Sequence, residues 1–330
     1  MKLGNKKGRG YFFIKEKIGE AKRSAKKVAS PLVFYIIIFI QIFANSLYAE
    51  IKSIQSDEVL VMYEGQMKRV AKEVAGVYPD VKKELVETLK WDIDFRPQIV
   101  IAKDRNTFEK IVGSKIIVAF AVPERNLIVL DVSRVYSKPF SLETTLKHEL
   151  CHLALHRNIK QNNLPRWLDE GVCQWASGGI AELVTGGGER ALSKATISNN
   201  IIRIRSLERF PQDEKYLLLA YEESKSFTEY IVSEYDEQGL LRILEFLKEG
   251  ESIDDSIEKG IFIKLHDLEK NWLGYLHRKH TWVSYVSNNI YTILFFLAGI
   301  VTLYGFIRFL KKKREYTDED EYEYKHKEKM

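Results

Sequence analysis

The chain has 330 residues and a mass of 38.4 kDa, with 51 Lys and Arg against 46 Asp and Glu, a formal net charge of +5 at pH 7. Apolar residues make up 45%, aromatics 12% and charged residues 29%, with 19 Gly, 7 Pro and 2 Cys; this excludes a wholly disordered chain, a collagen-like repeat and a disulfide-stapled mini-protein. The length allows about two domains of ~150 residues, and a mean hydropathy of −0.24 excludes a polytopic membrane protein while leaving room for isolated apolar runs.

From the N-terminus, a basic stretch with Lys22, Arg23, Lys26 and Lys27 leads into an apolar run at residues 32–44, then to the small residues Asn45, Ser46 and Ala49. Basic lead, apolar centre and small-residue exit are the parts of a secretory signal. The lead is long for a cleaved signal, so an uncleaved anchor fits as well. The run has no polar face, which argues against a buried core helix. Residues 1–49 are expected to be a signal peptide or a signal anchor.

Residues 70–89 set Val70, Val74, Val77, Val81, Leu85 and Leu89 at helical spacing. Pro97 then precedes the β-type run Gln98-Ile99-Val100-Ile101-Ala102, and residues 105–112 predict another helix. Two β-rich runs, 116–122 and 127–132, flank Pro123-Glu124-Arg125-Asn126, which has the composition of a hairpin turn. From Ser141 onward the periodicity is mostly helical. Strands first and helices afterwards predict an α+β fold, with residues 50–140 as an N-terminal α/β part and 141–288 as a helical part.

The helical part carries the sharpest chemical signal, His148-Glu149-Leu150-Cys151-His152, an H-E-x-x-H pattern. At ~100° per residue, Leu142, Leu146, Leu150 and Leu153 share one helix face, and His148, Glu149 and His152 fall together on the other. Two imidazoles at i and i+4 can meet one metal ion. Zinc takes neutral imidazole nitrogens and carboxylate oxygens tetrahedrally and keeps a position for water. Glu149, one residue after the first histidine, is then the general base and not a ligand. Alone, the pattern also describes a solvated His/Glu face. A second element, Leu164-Pro165-Arg166-Trp167-Leu168-Asp169-Glu170-Gly171, opens another helix soon after. Two antiparallel helices on a short link would return Glu170 to a place opposite the histidines.

These two elements resemble the gluzincin metallopeptidases of the MA clan, in which H-E-x-x-H is followed by a glutamate ligand on the next helix. Trp167-Leu168-Asp169-Glu170-Gly171 looks like the W-L-N-E-G element of aminopeptidase-N-type enzymes. The resemblance extends to a smaller peptidase-like family through Leu219-Ala220-Tyr221-Glu222-Glu223-Ser224 and Leu268-Glu269-Lys270-Asn271-Trp272, covering about residues 141–276. It implies a zincin-like domain, zinc ligands His148, His152 and Glu170, Glu149 as catalytic base, and Tyr221 as a candidate donor to the oxyanion of a tetrahedral intermediate.

Thermolysin-like enzymes carry a carboxylate one turn after the glutamate ligand to orient a zinc-binding histidine; here that position is Gln174, leaving Asp169 or a backbone carbonyl for the task. No G-x-M-x-N exopeptidase signature occurs. His156 continues the row to i+8 but lies another turn, about 6 Å, along the axis, too far to share the ion. Cys151 and Cys173 each occupy a position where an apolar residue would serve and are read as buried free thiols, although export would permit a disulfide. Gly186-Gly187-Gly188 has no phosphate-loop context and reads as a loop near the cleft.

A second apolar run, residues 290–310, ends in Lys311-Lys312-Lys313-Arg314 and is preceded by Trp282, Tyr285 and Tyr291. Length, aromatic belt and basic stop predict a membrane-spanning helix at residues 289–310. The mixed-charge segment 311–330 is expected to be an irregular cytoplasmic tail. Residues 50–288 then lie outside the cytoplasm, and the basic excess serves insertion and not nucleic-acid binding. Together these features predict a membrane-anchored zinc metalloendopeptidase acting on polypeptides, with residues 127–130 as the edge strand for substrate. A zinc-binding but inactive surface-recognition ectodomain is the alternative, and Gln174 is its support.

Overall fold

The computed structural model describes residues 51–112, 117–136, 140–179, 188–211 and 213–327. The expected signal or anchor at 1–49 lies outside the described residues, as do Gly186 and Gly187. Among the described residues the chain forms a five-stranded mixed sheet and then becomes almost wholly helical, the α+β order its periodicity predicts.

The sheet opens with an antiparallel pair, β1 (Ile51–Gln55) and β2 (Leu60–Glu64). Sequence periodicity misses this pair because β1 is largely exposed and carries no clear alternation. Helix α1 (Lys68–Leu89) buries Ala71, Val74, Tyr78, Val81, Leu85 and Leu89. Ala71 and Tyr78 thus complete the stripe where Val70 and Val77 are only half-buried. Strand β3 (Gln98–Ala102), helix α2 (Arg105–Val112), β4 (Ala119–Val122) and β5 (Leu127–Asp131) follow. The β4–β5 hairpin turns through a short 3-10 segment, Pro123–Arg125, and Asn126 at φ 49°, a left-handed conformation that asparagine tolerates.

The strand order is β1-β2-β3-β5-β4, with β3 parallel to both neighbours. Strand β5 is antiparallel to β4 and is buried at all five positions. Residues 127–130 are therefore interior, and β4, not β5, is the edge. An unbroken apolar run marks a strand covered on both faces, whereas an edge strand tolerates mixed burial such as β4 shows.

After a short turn, α3 (Val132–Val135), come α4 (Leu142–Asn158), α5 (Arg166–Ser177), α6 (Gly188–Ile197), α7 (Glu214–Glu249), α8 (Ile253–Ile261), α9 (Leu265–Asn288) and α10 (Ile290–Lys327). Helix α7 is broken at Asp236, whose φ of 61° and ψ of 170° lie outside helical values. The chain divides into two compact units: the described residues up to 189 with 202–265, and 190–201 with 266–327. In the first, α4 packs on α1, β4, β5 and α5, while α5 packs on α7 and α7 on α8.

In the second unit, α9 buries Leu268, Trp272 and Leu276. Helix α10 is long and apolar enough over Ile290–Lys312 to cross a membrane, with a mean hydropathy of 2.2 and none of that window buried. It continues as helix to Lys327, where the sequence predicts irregular structure. The Glu- and Lys-rich tail has good intrinsic helix propensity, which an absent apolar period conceals.

Candidate metal centre

Two helices build the centre. Ser141 caps α4, its hydroxyl accepting from the Thr144 N–H at 3.1 Å, which starts the helix in register for the motif. Leu142, Leu146, Leu150 and Leu153 enter the core as predicted. The His148/Glu149/His152 face does not meet solvent: Glu149 is fully buried, and His148 and His152 are 1% and 3% exposed. This polar face is covered by α5, so α4 is buried on both sides.

Pro165 precedes α5, and its carbonyl accepts from the N–H groups of Leu168 at 3.0 Å and Asp169 at 3.1 Å. Trp167, buried, meets Phe227 of α7 edge-on at 5.1 Å. Gly171 lets the two helices approach: a β-carbon there would lie 2.1 Å from Thr228 Oγ1 and 2.6 Å from the Ser224 carbonyl. Packed between α4 and α7, α5 holds Glu170 fully buried opposite the histidines.

His148 Nε2 and His152 Nε2 are 3.1 Å apart, and Glu170 Oε2 is 3.6 Å from each. Four ligands on one zinc at ~2.0–2.1 Å stand ~3.3 Å apart along the edges of a tetrahedron. The observed triangle matches three corners of that figure and leaves the fourth for water or substrate. Two nitrogens and one oxygen also suit a borderline cation of this kind.

His152 Nδ1 faces Asp169 Oδ1 at 2.6 Å, which fixes Nε2 as the atom turned toward the centre. Asp169 Oδ2 in turn receives His156 Nε2 at 3.1 Å and Arg166 Nη1 at 3.1 Å. Arg166 Nη2 forms an ion pair with Glu170 Oε1. Burial alone would strip the proton from metal-free His152, but the carboxylates of Asp169 and Glu170 outweigh it and hold the imidazole well above its ordinary value. For Asp169, burial pushes upward and is overcome by His152, His156 and Arg166, so its carboxyl stays well below the usual range.

His156 therefore lies behind the centre, in contact with Asp169, as its distance along the helix predicts. Gln174 does not orient a histidine; its amide donates to the Tyr221 carbonyl at 3.2 Å. The carboxylate behind His152 is instead that of Asp169. Tyr221 is buried on α7, edge-on to Phe210 at 5.1 Å and packed with Ile117, Leu217 and Leu218. Cys151 and Cys173 are both buried and free. Burial, followed by Cys151, raises the Cys173 thiol well above its ordinary value, which keeps it protonated. Its sulfur lies 3.5 Å from His152 Nδ1, and His152, Asp169 and Cys173 form a second close group. That group shares His152 with the first, and Arg166 and His156 already occupy its carboxylate.

Sequence reasoning passes over Arg166, although its spacing of i+3 to Asp169 and i+4 to Glu170 is the helical spacing at which an arginine reaches a carboxylate. These residues assemble a buried group of three candidate metal ligands, with the Asp169 carboxylate behind His152. No curated protein matches the chain. The family model described as Peptidase MA superfamily matches residues 113–278, which is half of the chain and includes both motif helices. With the His148, His152 and Glu170 group standing within that matched region, the chain belongs to the Peptidase MA superfamily, a family of zinc metallopeptidases.

Proposed function

We propose that the chain is a zinc metalloendopeptidase, anchored in the cell membrane by its C-terminal apolar helix with the peptidase domain outside the cytoplasm. The observation that carries this reading is the triangle of His148 Nε2, His152 Nε2 and Glu170 Oε2, sized for one tetrahedral ion. A zinc ion there supplies Lewis acidity to a scissile carbonyl and lowers the pKa of a water toward about 7. Glu149 accepts the proton of the attacking water and returns it to the leaving amine. Tyr221 donates a hydrogen bond from its phenol O–H to the developing oxyanion. Strand β4 offers an extended peptide the free backbone groups of a sheet edge, beside the motif helix on which it packs.

Export and anchoring are supported by the basic and apolar pattern of 1–49 and by the unburied Ile290–Lys312 segment with its Lys311 to Arg314 flank. In this topology 141–288 is the zinc-binding part, 289–310 the span and 311–330 the cytoplasmic end. The inactive-ectodomain alternative draws its support from Gln174, whereas Asp169 at His152 Nδ1 supports the peptidase reading.

The test uses the full chain purified in detergent, with metal content measured alongside cleavage of a diverse peptide library. One zinc per chain and internal cleavage are expected, with cleavage abolished by chelation and restored by zinc. A zinc-loaded chain that cleaves nothing in the library overturns the peptidase assignment in favour of recognition.

A further inference from the structure

We infer that Arg166 is a positioning residue of this centre, a single guanidinium that aligns the glutamate ligand and the aspartate behind His152 together. The inference rests on the metal-centre reading above. Glu170 divides its two oxygens: Oε1 pairs with Arg166 Nη2, and Oε2 faces both imidazole nitrogens at 3.6 Å. Asp169 divides its oxygens likewise, with Oδ1 on His152 Nδ1 at 2.6 Å and Oδ2 on Arg166 Nη1 at 3.1 Å. One side chain therefore takes one oxygen of each carboxylate, leaving Glu170 Oε2 for the imidazole Nε2 atoms and Asp169 Oδ1 for His152 Nδ1.

Charge points the same way. Asp169 and Glu170 are two buried carboxylates on this one guanidinium, and Glu149, next to His148 in sequence, is a third that is fully buried. A divalent ion and one guanidinium balance them; without Arg166 a buried negative charge loses its partner, which is costly in a site of low polarity. Geometry favours arginine over lysine, because a planar fork can reach two carboxylates at once while an ammonium is a point charge.

Arg166 is also held from its other side. Its guanidinium carbon lies 5.9 Å from the centre of the Phe210 ring. The side chain is 40% exposed and lines a cavity of about 620 Å³ with Leu164, Glu208, Arg209 and Ser252. Arg166 thus stands between the candidate metal ligands and an open polar cavity.

The test is metal affinity of the detergent-solubilised full chain, measured by competition with a chelator, in the parent, Arg166→Met and Arg166→Lys. Removing a group that orients metal ligands costs about 10–100-fold in affinity. Arg166→Met is expected to lose that much, and Arg166→Lys to recover only part of it. The visible absorption of the cobalt-substituted protein should shift in both variants, since Glu170 is freed to ligate through either oxygen. Arg209→Met, in the same cavity wall, should leave affinity and spectrum as in the parent. Should Arg166→Met fail to fold, Arg166→Lys keeps the charge and carries the comparison. Parent affinity and an unchanged cobalt spectrum in the folded Arg166 variants overturn the positioning role. A parent that binds no metal overturns instead the metal-centre reading beneath it.

Discussion

Glu149 and Glu170 are both fully buried carboxylates for which we propose different work. Glu170 Oε2 is within 3.6 Å of both imidazole nitrogens, whereas Glu149 belongs to neither close donor group. Glu149→Gln should therefore retain zinc and fold while losing about 10²–10⁴-fold in turnover, the usual contribution of a positioned general base. Equal turnover in variant and parent would remove Glu149 from the mechanism. Asp169→Asn should bind zinc about 10–100-fold more weakly, since the carboxylate on His152 Nδ1 sets ring orientation and basicity; chelator competition measures it. The same carboxylate fixes the pH response. The metal-free fold binds the His152 proton more tightly than the unfolded chain does, so this stabilisation is complete below His152's ordinary value of 6.5 and fades as pH rises through the elevated folded value. Asp169 contributes oppositely, fully above its ordinary value of 3.8 and lost as pH falls through its depressed one. Metal must displace the His152 proton, so zinc affinity climbs with pH. Thermal melts should show the metal-free protein weakening from neutral to alkaline pH while excess zinc offsets the loss. Metal-free melting that rises over that range would contradict the assignment of the pair.

Between elements, the decisive contact is the approach of α5 to α7 at Gly171. A β-carbon there meets the Ser224 carbonyl at 2.6 Å, and backbone cannot rotate aside as a side chain can. Gly171→Ala should cost about 1–3 kcal/mol, the range for forced overpacking. Because Glu170 is the adjacent residue on α5, zinc affinity should fall as well. Denaturant unfolding with and without zinc separates the two effects, and a variant as stable as the parent would show that the helices separate freely. Tyr221→Phe belongs to the same interface. Its backbone carbonyl still receives Gln174, and its ring can keep the edge contact with Phe210, so stability should hold. Turnover should drop by less than in Glu149→Gln, since one oxyanion donor is lost while the base remains. Unchanged turnover would assign the tyrosine to packing alone.

For the whole molecule, the apolar α10 and the basic residues after it make topology the property to test. Residues 50–288 should be digested by protease added to intact cells or spheroplasts, while residues 311–330 are spared. The reverse pattern would put the metal centre in the cytoplasm. Deleting 289–330 should leave a chain that still binds zinc, because all three candidate ligand residues precede Leu265 and lie within one compact unit. Failure of the shortened chain to bind zinc would show that the centre needs residues 289–330.

The sequence by itself determined the parts governed by local spacing. An i, i+4 histidine pair on a capped helix, a glutamate on the next helix, strands before helices and an apolar run of spanning length are all readable along the chain, because helix period and burial period are properties of neighbouring residues. Tertiary structure decided what depends on partners distant in sequence. Residues 127–130 look like any apolar strand, and only pairing with both β3 and β4 makes them interior and β4 the edge. The β1–β2 pair was invisible for the related reason that an exposed strand has no apolar face to announce it. Asp169 and a backbone carbonyl were both candidates to orient a zinc-binding histidine, and the packing of α5 on α4 brings Asp169 Oδ1 to 2.6 Å from His152 Nδ1. Arg166 drew no notice as one basic residue among 51, and its pairing with Asp169 and Glu170 shows only in the folded helix, where both carboxylates meet His152.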